Sequence, residues 1–180
     1  MGTWSIVREL HDRATGGRGT FLGTLAITAD AAGFRWDEAG RLTWDQRELP
    51  AYRRHRLRRQ DGGWWLSFED GRAFHPWVIG TPVIHPCRAD TYRGLLTAVA
   101  DETAKVTALR IRWDVRGPTK DHLIVSHLTR VQATGSTSAD HGSRSVDAAR
   151  PSTQCLRKSH QEQDGPGAGG KTSSAAAPLA

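Results

Sequence analysis

The feature of this sequence that most constrains its fold is a series of short runs in which apolar and polar residues alternate. Turn signals that contain glycine separate these runs at short intervals. In the clearest run, residues 109–116, four apolar side chains alternate with four charged ones. A period of two residues places one face of a strand against a core and the other face in solvent. About eight to ten such runs can be counted, which predicts an antiparallel sheet joined by tight turns.

An up-and-down antiparallel, lipocalin-like β-barrel is the all-β architecture that we expect, because closing the sheet removes its exposed edges. A β-sandwich is the alternative. Residues 92–105 permit either a helix or a strand. Asp70-Gly71 lies between two alternating runs and predicts a two-residue hairpin turn, because a type I′ turn needs positive φ at both central positions.

Composition divides the chain after Arg130. All seven tryptophans, both tyrosines and all four phenylalanines precede that residue. Of the 50 residues that follow, 30 are Gly, Ala, Ser, Thr or Pro and four are Val or Leu. So little apolar surface cannot offset an ordering entropy of about 1–2 kcal/mol per residue. We therefore expect a barrel domain over residues 1–130 and a disordered, low-complexity tail over 131–180.

Several classes of protein conflict with the composition. No apolar run approaches the roughly 20 residues of a membrane-spanning helix, and the N-terminus lacks a secretory pattern. Cys87 and Cys155 cannot build a disulfide framework, and no CxxC pair is present for structural zinc. We expect a cytoplasmic protein, monomeric or homodimeric, with no membrane partner. The net charge of +6 is too modest to indicate nucleic-acid binding by itself.

The densest group of reactive side chains is His75, His85, Cys87 and Asp90. On a strand, His85 and Cys87 point the same way, and a short link would let His75 approach His85. The spacing matches no established zinc signature, so we assign no metal. A thiolate at Cys87, activated by a histidine that Asp90 orients, would make the protein an enzyme. Polar residues that line a barrel are the simpler interpretation, and we expect no catalysis.

Residues 53–59 contain five arginines. On a strand, Arg54 and Arg56 lie on one face and Arg53 and His55 on the other. In a closed barrel one row would project inward, where arginine requires an anionic partner. Three interpretations remain open: a solvated edge strand, an anionic small-molecule pocket, and a nucleic-acid surface with Trp64 and its neighbour as stacking groups.

The two ends of the folded part carry a pattern known from other barrels. Gly2-Thr3-Trp4, with Arg130 at the end of the last run, is similar to the calycin pattern. That pattern implies that Trp4 plugs one barrel end and that Arg130 packs over its indole, as a structural closure. More specific motifs resemble the DUF6314 family of uncharacterised bacterial proteins: Phe21-Leu22-Gly23, Phe68–His75, His85–Gly94 and Trp113–Asp121. The resemblance covers residues 1–130 and implies a compact barrel; it implies no activity.

The function we expect is the binding of a small molecule inside the barrel, partly apolar and anionic, with the cofactor class unknown. Trp36, Trp44, Trp64 and Phe68 would supply apolar wall. The candidate ligand-binding residues are Arg54, Arg56, Trp64, His75, His85, Cys87, Tyr92 and Lys120. The alternatives are an enzyme that uses the His75/His85/Cys87/Asp90 group and a nucleic-acid-binding barrel that uses residues 53–59.

Overall fold

The computed structural model describes residues 1–132, and these form ten β-strands. The strands are β1 (Gly2–Asp12), β2 (Arg18–Asp30), β3 (Gly33–Trp44), β4 (Arg47–Gln60), β5 (Gly63–Phe68), β6 (Ala73–Pro76), β7 (Val83–Cys87), β8 (Asp90–Ala100), β9 (Val106–Gly117) and β10 (Lys120–Arg130). The tail was predicted to be disordered over residues 131–180. Residues 133–180 lie outside the described part of the chain.

The strands form one antiparallel sheet in the order β6-β5-β4-β3-β2-β1-β10-β9-β8-β7. Its terminal strands, β6 and β7, lie against each other, so that the sheet curls into a nearly closed barrel. His85 of β7 hydrogen-bonds to the backbone of Phe74 in β6 and contributes to this seam. The prediction of an all-β, up-and-down, lipocalin-like barrel is confirmed. Residues 92–105, which permitted a helix, belong mostly to strand β8.

The tight turns follow from local sequence. Asp61 and Gly62 both have positive φ between β4 and β5, as a two-residue type I′ turn requires. The predicted two-residue turn at Asp70-Gly71 is wrong. Of these two residues only Gly71 has positive φ. The Phe68 N–H donates to the Arg72 carbonyl and the Gly71 N–H donates to the Phe68 carbonyl, so that three residues form the loop between Phe68 and Arg72. The Asp70 carboxylate accepts the Arg72 N–H over 3.1 Å, which favours this longer turn.

The barrel core comes from the inward face of each strand. In β9 the apolar residues from Leu109 to Val115 are buried, while the alternating arginines are exposed. Trp113 lies over Gly94 of β8, where a Cβ atom would meet the indole at 2.5 Å. This close packing directs the indole into the barrel.

One end of the barrel, which we call the base, lies where β1 begins. Buried Trp4 and Trp36 fill it, and the Trp36 ring centroid lies 5.2 Å from that of Trp77. Arg130 pairs with Trp4 across the ladder, and its guanidinium carbon lies 5.4 Å from the indole centroid. The base is therefore plugged by aromatic rings. Within residues 1–132 there is no helix long and apolar enough to cross a membrane.

Candidate ligand-binding site

At the opposite end of the barrel, the rim, the β5–β6 hairpin is shorter than β4, and we call the resulting gap in strand pairing beside β4 the rim notch. Strand β5 pairs with β4 only from His55 to Gln60. On the edge of β4 that faces β5, residues 47–54 therefore have no strand partner among the described residues. The notch is bounded by these residues, by the β5–β6 turn and by the β7–β8 turn. Leu49 shares the inward face with buried Leu42 yet is 57% exposed, as expected at an opening.

A buried carboxylate lies on β3 opposite Arg53 of β4. Glu38 of β3 is 2% exposed and accepts hydrogen bonds from Arg8 over 2.7 Å and from Arg53 over 2.7 Å. The indole N–H of Trp36 donates to the same carboxylate over 2.8 Å. Arg8 also donates from Nε to Ser126 Oγ over 2.8 Å. Four strands thus contribute polar groups to one interior network.

Charge in this network persists at neutral pH. Burial alone would raise the pKa of Glu38, but the guanidinium groups of Arg53 and Arg8 outweigh it and hold that pKa below its usual range. Burial lowers the pKa of Arg8 to about 10, with a further contribution from Arg53. Glu38 and Arg8 are therefore both ionised. The Arg53 side chain retains 18% exposure against 1% for Glu38, so Arg53 connects the buried carboxylate to the notch.

Glycines in neighbouring strands make room for this network. Gly23 of β2 pairs with Gly40 of β3, and the Phe21 ring covers both. The Arg8 guanidinium lies over the Phe21 ring, 5.2 Å from its centroid, and crosses β2 to reach Glu38. A side chain at Gly23 would meet Phe21 at 2.7 Å and displace the ring on which Arg8 rests.

Three histidines and several aromatic rings form a second group beside the first. The Phe74 ring is at its centre: it stacks on His55 at 5.5 Å and on Trp113 at 5.3 Å. His75 and His85 contact its edges at 4.7 Å and 4.8 Å. The structure therefore places His75 and His85 against the same ring, although their strands β6 and β7 are not paired in the sheet. We call this group the histidine–aromatic cluster; its members are His55, Phe68, Phe74, His75, His85, Tyr92 and Trp113.

Burial keeps these histidines neutral. It lowers the pKa of His55 to about 3 and that of His75 to about 4, and it also lowers the pKa of His85. His55 Nδ1 lies 3.2 Å from the Ser67 carbonyl oxygen of β5, and a neutral ring must donate its N–H there. Its Nε2 is buried and has no hydrogen-bond partner in the structure. This nitrogen is an unused acceptor.

The remaining predicted polar residues lie at the rim. Lys120 Nζ bonds to Asp90 Oδ2 over 2.7 Å and hydrogen-bonds to Tyr92. Burial raises the pKa of Tyr92, so its hydroxyl stays protonated. Cys87 shares the inward face of β7 with His85. Asp90 thus pairs with Lys120 instead of orienting an imidazole, and the described residues contain no group of three or more His, Cys, Asp or Glu that could hold a metal.

Arg54 and Arg56, expected inside the barrel, lie on its outer face. Arg54 faces Asp37 and Glu69 at 3.6 Å and 3.5 Å, and Arg56 bonds to Asp30 over 3.0 Å. The inward row is instead that of Arg53 and His55, because β3 presents Glu38 opposite Arg53. Trp64 lies on the inward face near the base, 5.4 Å from Phe34. It is separated from the rim notch by the length of β5.

Sequence reasoning missed four residues of the interior site: Arg8, Glu38, Arg53 and His55. One signal for Arg8 was present, since it shares a strand face with Trp4, Ile6 and Leu10. Glu38 likewise shares a face with Trp36 and Leu42. A charged residue at an apolar position of an alternating run marks a buried ion pair, and the two opposite charges predict each other.

A separate groove of about 870 Å³ lies at the base, where β1 begins and β10 ends. Its lining includes Asp101, Lys105 and Arg130. Asp101 is occupied by hydrogen bonds within its own turn, to Thr103 and to the Lys105 backbone.

Comparisons with known proteins agree with the fold. Residues 1–130 match the model of DUF6314, a family of unknown function, and the chain belongs to that family. An S-type phycobiliprotein lyase from Guillardia theta has a similar structure, with a TM-score of 0.51 and 11% sequence identity. The similarity covers 74% of this chain and 89% of the lyase. No curated protein matches the sequence.

Proposed function

We propose that this DUF6314 protein binds a small, partly apolar, anionic molecule inside its barrel and that the ligand enters through the rim notch. The observation that carries the proposal is Arg53, a guanidinium that pairs with the buried carboxylate of Glu38 over 2.7 Å and keeps 18% of its side chain exposed. Arginine is suited to such a site because its planar fork of donors matches carboxylates and phosphates.

The histidine–aromatic cluster would supply the apolar part of the pocket. Phe68 and Phe74 lie 5.0 Å apart between the notch and Trp113, and ring walls with few polar groups are typical of ligand pockets. Lys120 and Tyr92 would contact the ligand nearer the rim. The similar solved structure is that of a phycobiliprotein lyase, so the same type of barrel occurs in a protein named for its action on another molecule.

Replacement of Arg53 tests this proposal. We expect Arg53→Gln to weaken the binding of an anilinonaphthalene sulfonate by about tenfold or more, because a charge-assisted hydrogen bond to the sulfonate is lost. The measurement is a fluorescence titration of the full chain with this probe. Glu38 keeps its bond to Arg8 in the variant, so the interior ion pair persists.

Arg54→Gln is the matched control, because Arg54 is the adjacent residue and lies on the outer face. We expect its affinity for the probe to stay within about twofold of the wild type. Equal losses in the two variants, or no loss in either, would mean that the probe does not bind beside Arg53 in the barrel.

A further inference from the structure

The acceptor nitrogen of His55 is one of the buried polar groups that the proposed binding mode leaves unexplained. The side chain is 3% exposed and Nε2 has no hydrogen-bond partner in the structure. A buried acceptor without a partner is costly, and native proteins rarely retain one without a reason. Its position in a candidate pocket suggests that a ligand supplies the missing donor.

The ring of His55 is held at Nδ1, while Nε2 is buried without a hydrogen-bond partner. Nδ1 faces the backbone of the neighbouring strand, where Ser67 provides the acceptor. Since the two nitrogens lie on different edges of the imidazole, Nε2 is directed away from that strand. The Phe74 ring stacks on the imidazole with an interplanar angle of 13°, and Phe68 lies 5.6 Å from it on the same side of the sheet. The ring therefore has a fixed orientation.

His75, in the same cluster, differs from His55 in this respect. It is buried to a similar degree, at 2% exposed, and its Nδ1 also lies near a backbone carbonyl, that of Pro76 at 2.8 Å. Its Nε2, however, is not among the buried polar atoms that lack a partner. Two histidines of one cluster thus have matched backbone bonds, and one of them retains an unused buried acceptor.

We infer that His55 Nε2 accepts a hydrogen bond from the ligand and that the ligand carries an N–H or O–H donor on an aromatic or conjugated ring, near its acidic group. This inference rests on the proposed function. Arg53 precedes His55 by two residues on the same face of β4. Arg53 would therefore bind the acidic group of the ligand, and His55 would bind the donor beside it. A simple fatty acid lacks the donor and would contact only Arg53.

Two probes that differ only in their hydrogen-bond donor test the inference. One is an anilinonaphthalene sulfonate whose anilino N–H is too far from the sulfonate to bond to it. The other is its N-methyl analogue, which has the same charge and rings but no donor. We expect the full wild-type chain to bind the N–H probe about tenfold more tightly than the N-methyl probe, because one hydrogen bond to a buried acceptor changes the affinity by about that factor. Similar affinities for the two probes would overturn the inference while leaving the pocket in place.

Two substitutions of His55 separate its two nitrogens. In His55→Asn the amide can still donate to Ser67 but cannot reach the Nε2 position, so we expect the preference for the N–H probe to disappear. In His55→Gln the longer amide can place an acceptor near that position, so we expect part of the preference to return. His127→Asn is the control, because His127 is exposed on β10 and lies outside the histidine–aromatic cluster, and it should keep the wild-type preference. A preference that survives in His55→Asn, or that is lost equally in His127→Asn, would contradict the assignment.

The two probes and the Arg53 variant together distinguish this inference from the function on which it rests. Binding of both probes that weakens in Arg53→Gln, without discrimination between them, refutes only the role of His55. Failure of the wild-type chain to bind either probe refutes the pocket itself and the role of His55 together. Thermal melting of each variant provides the readout of folding.

Discussion

At the scale of single residues, the interior combines ionised and neutral polar groups within a few ångströms. Glu38 stays ionised because two guanidinium groups bond to it, whereas the imidazoles of His55 and His75 stay neutral because burial disfavours their charged form. These two outcomes follow from the same physical cost of burial. They also have a consequence for the dependence of stability on pH.

We expect the free energy of unfolding to decrease as the pH falls below about 6.5. The pKa values of about 3 for His55 and about 4 for His75 are lowered from 6.5, so the unfolded chain binds more protons than the folded chain between these values. Stability is therefore complete above the unfolded value and is lost towards acid. The predicted loss between pH 7.5 and pH 5 is about 2–4 kcal/mol. Urea denaturation at the two pH values measures it.

His75→Phe should remove about half of this pH dependence, because it removes one of the two strongly shifted histidines. His122→Phe is the control, since His122 lies at the rim with a side chain 23% exposed. Stability that does not change between the two pH values would contradict the assignment of buried neutral histidines.

At the scale of strands, the alternating pattern determines an element only where its two faces differ. In β9 one face is apolar and the other charged, so sequence alone predicted both the strand and its buried side. In the arginine-rich part of β4 both faces are polar, and the pattern could not select the inward row. Pairing selected it, because β3 presents Glu38 opposite Arg53 and Asp37 opposite Arg54. Such selection depends on register, which cannot be deduced from β4 alone.

Close approach between strands gives a prediction at the same scale. In Gly94→Ala the new methyl group would meet the Trp113 ring at 2.5 Å, so the ring must move. We expect the free energy of unfolding to decrease by about 1–3 kcal/mol, because overpacking destabilises a protein core by about that amount. A change in the near-ultraviolet circular dichroism should accompany it, because Trp113 stacks on Phe74.

Gly63→Ala is the control for this substitution. Gly63 also lies in a strand, has no positive φ, and its nearest neighbouring atom for a new Cβ is 3.9 Å away. We expect little change in its unfolding free energy. Equal effects of the two substitutions would show that loss of glycine in a strand, not contact with Trp113, causes the destabilisation.

At the scale of the whole molecule, unequal strand lengths open the barrel where the polar groups lie. Strand β4 has 14 residues, whereas β5 and β6 have six and four, and this difference produces the rim notch. Barrel closure was predictable from the number of alternating runs and from the resemblance to the family. The notch was not, because it depends on which strands become neighbours. Aromatic rings close the base, so the notch is the opening that lies nearest to Arg53 and His55.

The central claim, that the interior of this barrel is a binding site, is tested most directly by a crystal structure of the full chain with the N–H anilinonaphthalene sulfonate bound. We predict that the probe lies inside the rim notch, with its sulfonate on Arg53, its N–H on His55 Nε2 and its rings beside Phe68 and Phe74. A barrel whose interior is filled by its own side chains, with the probe bound to the outer face, would contradict the claim.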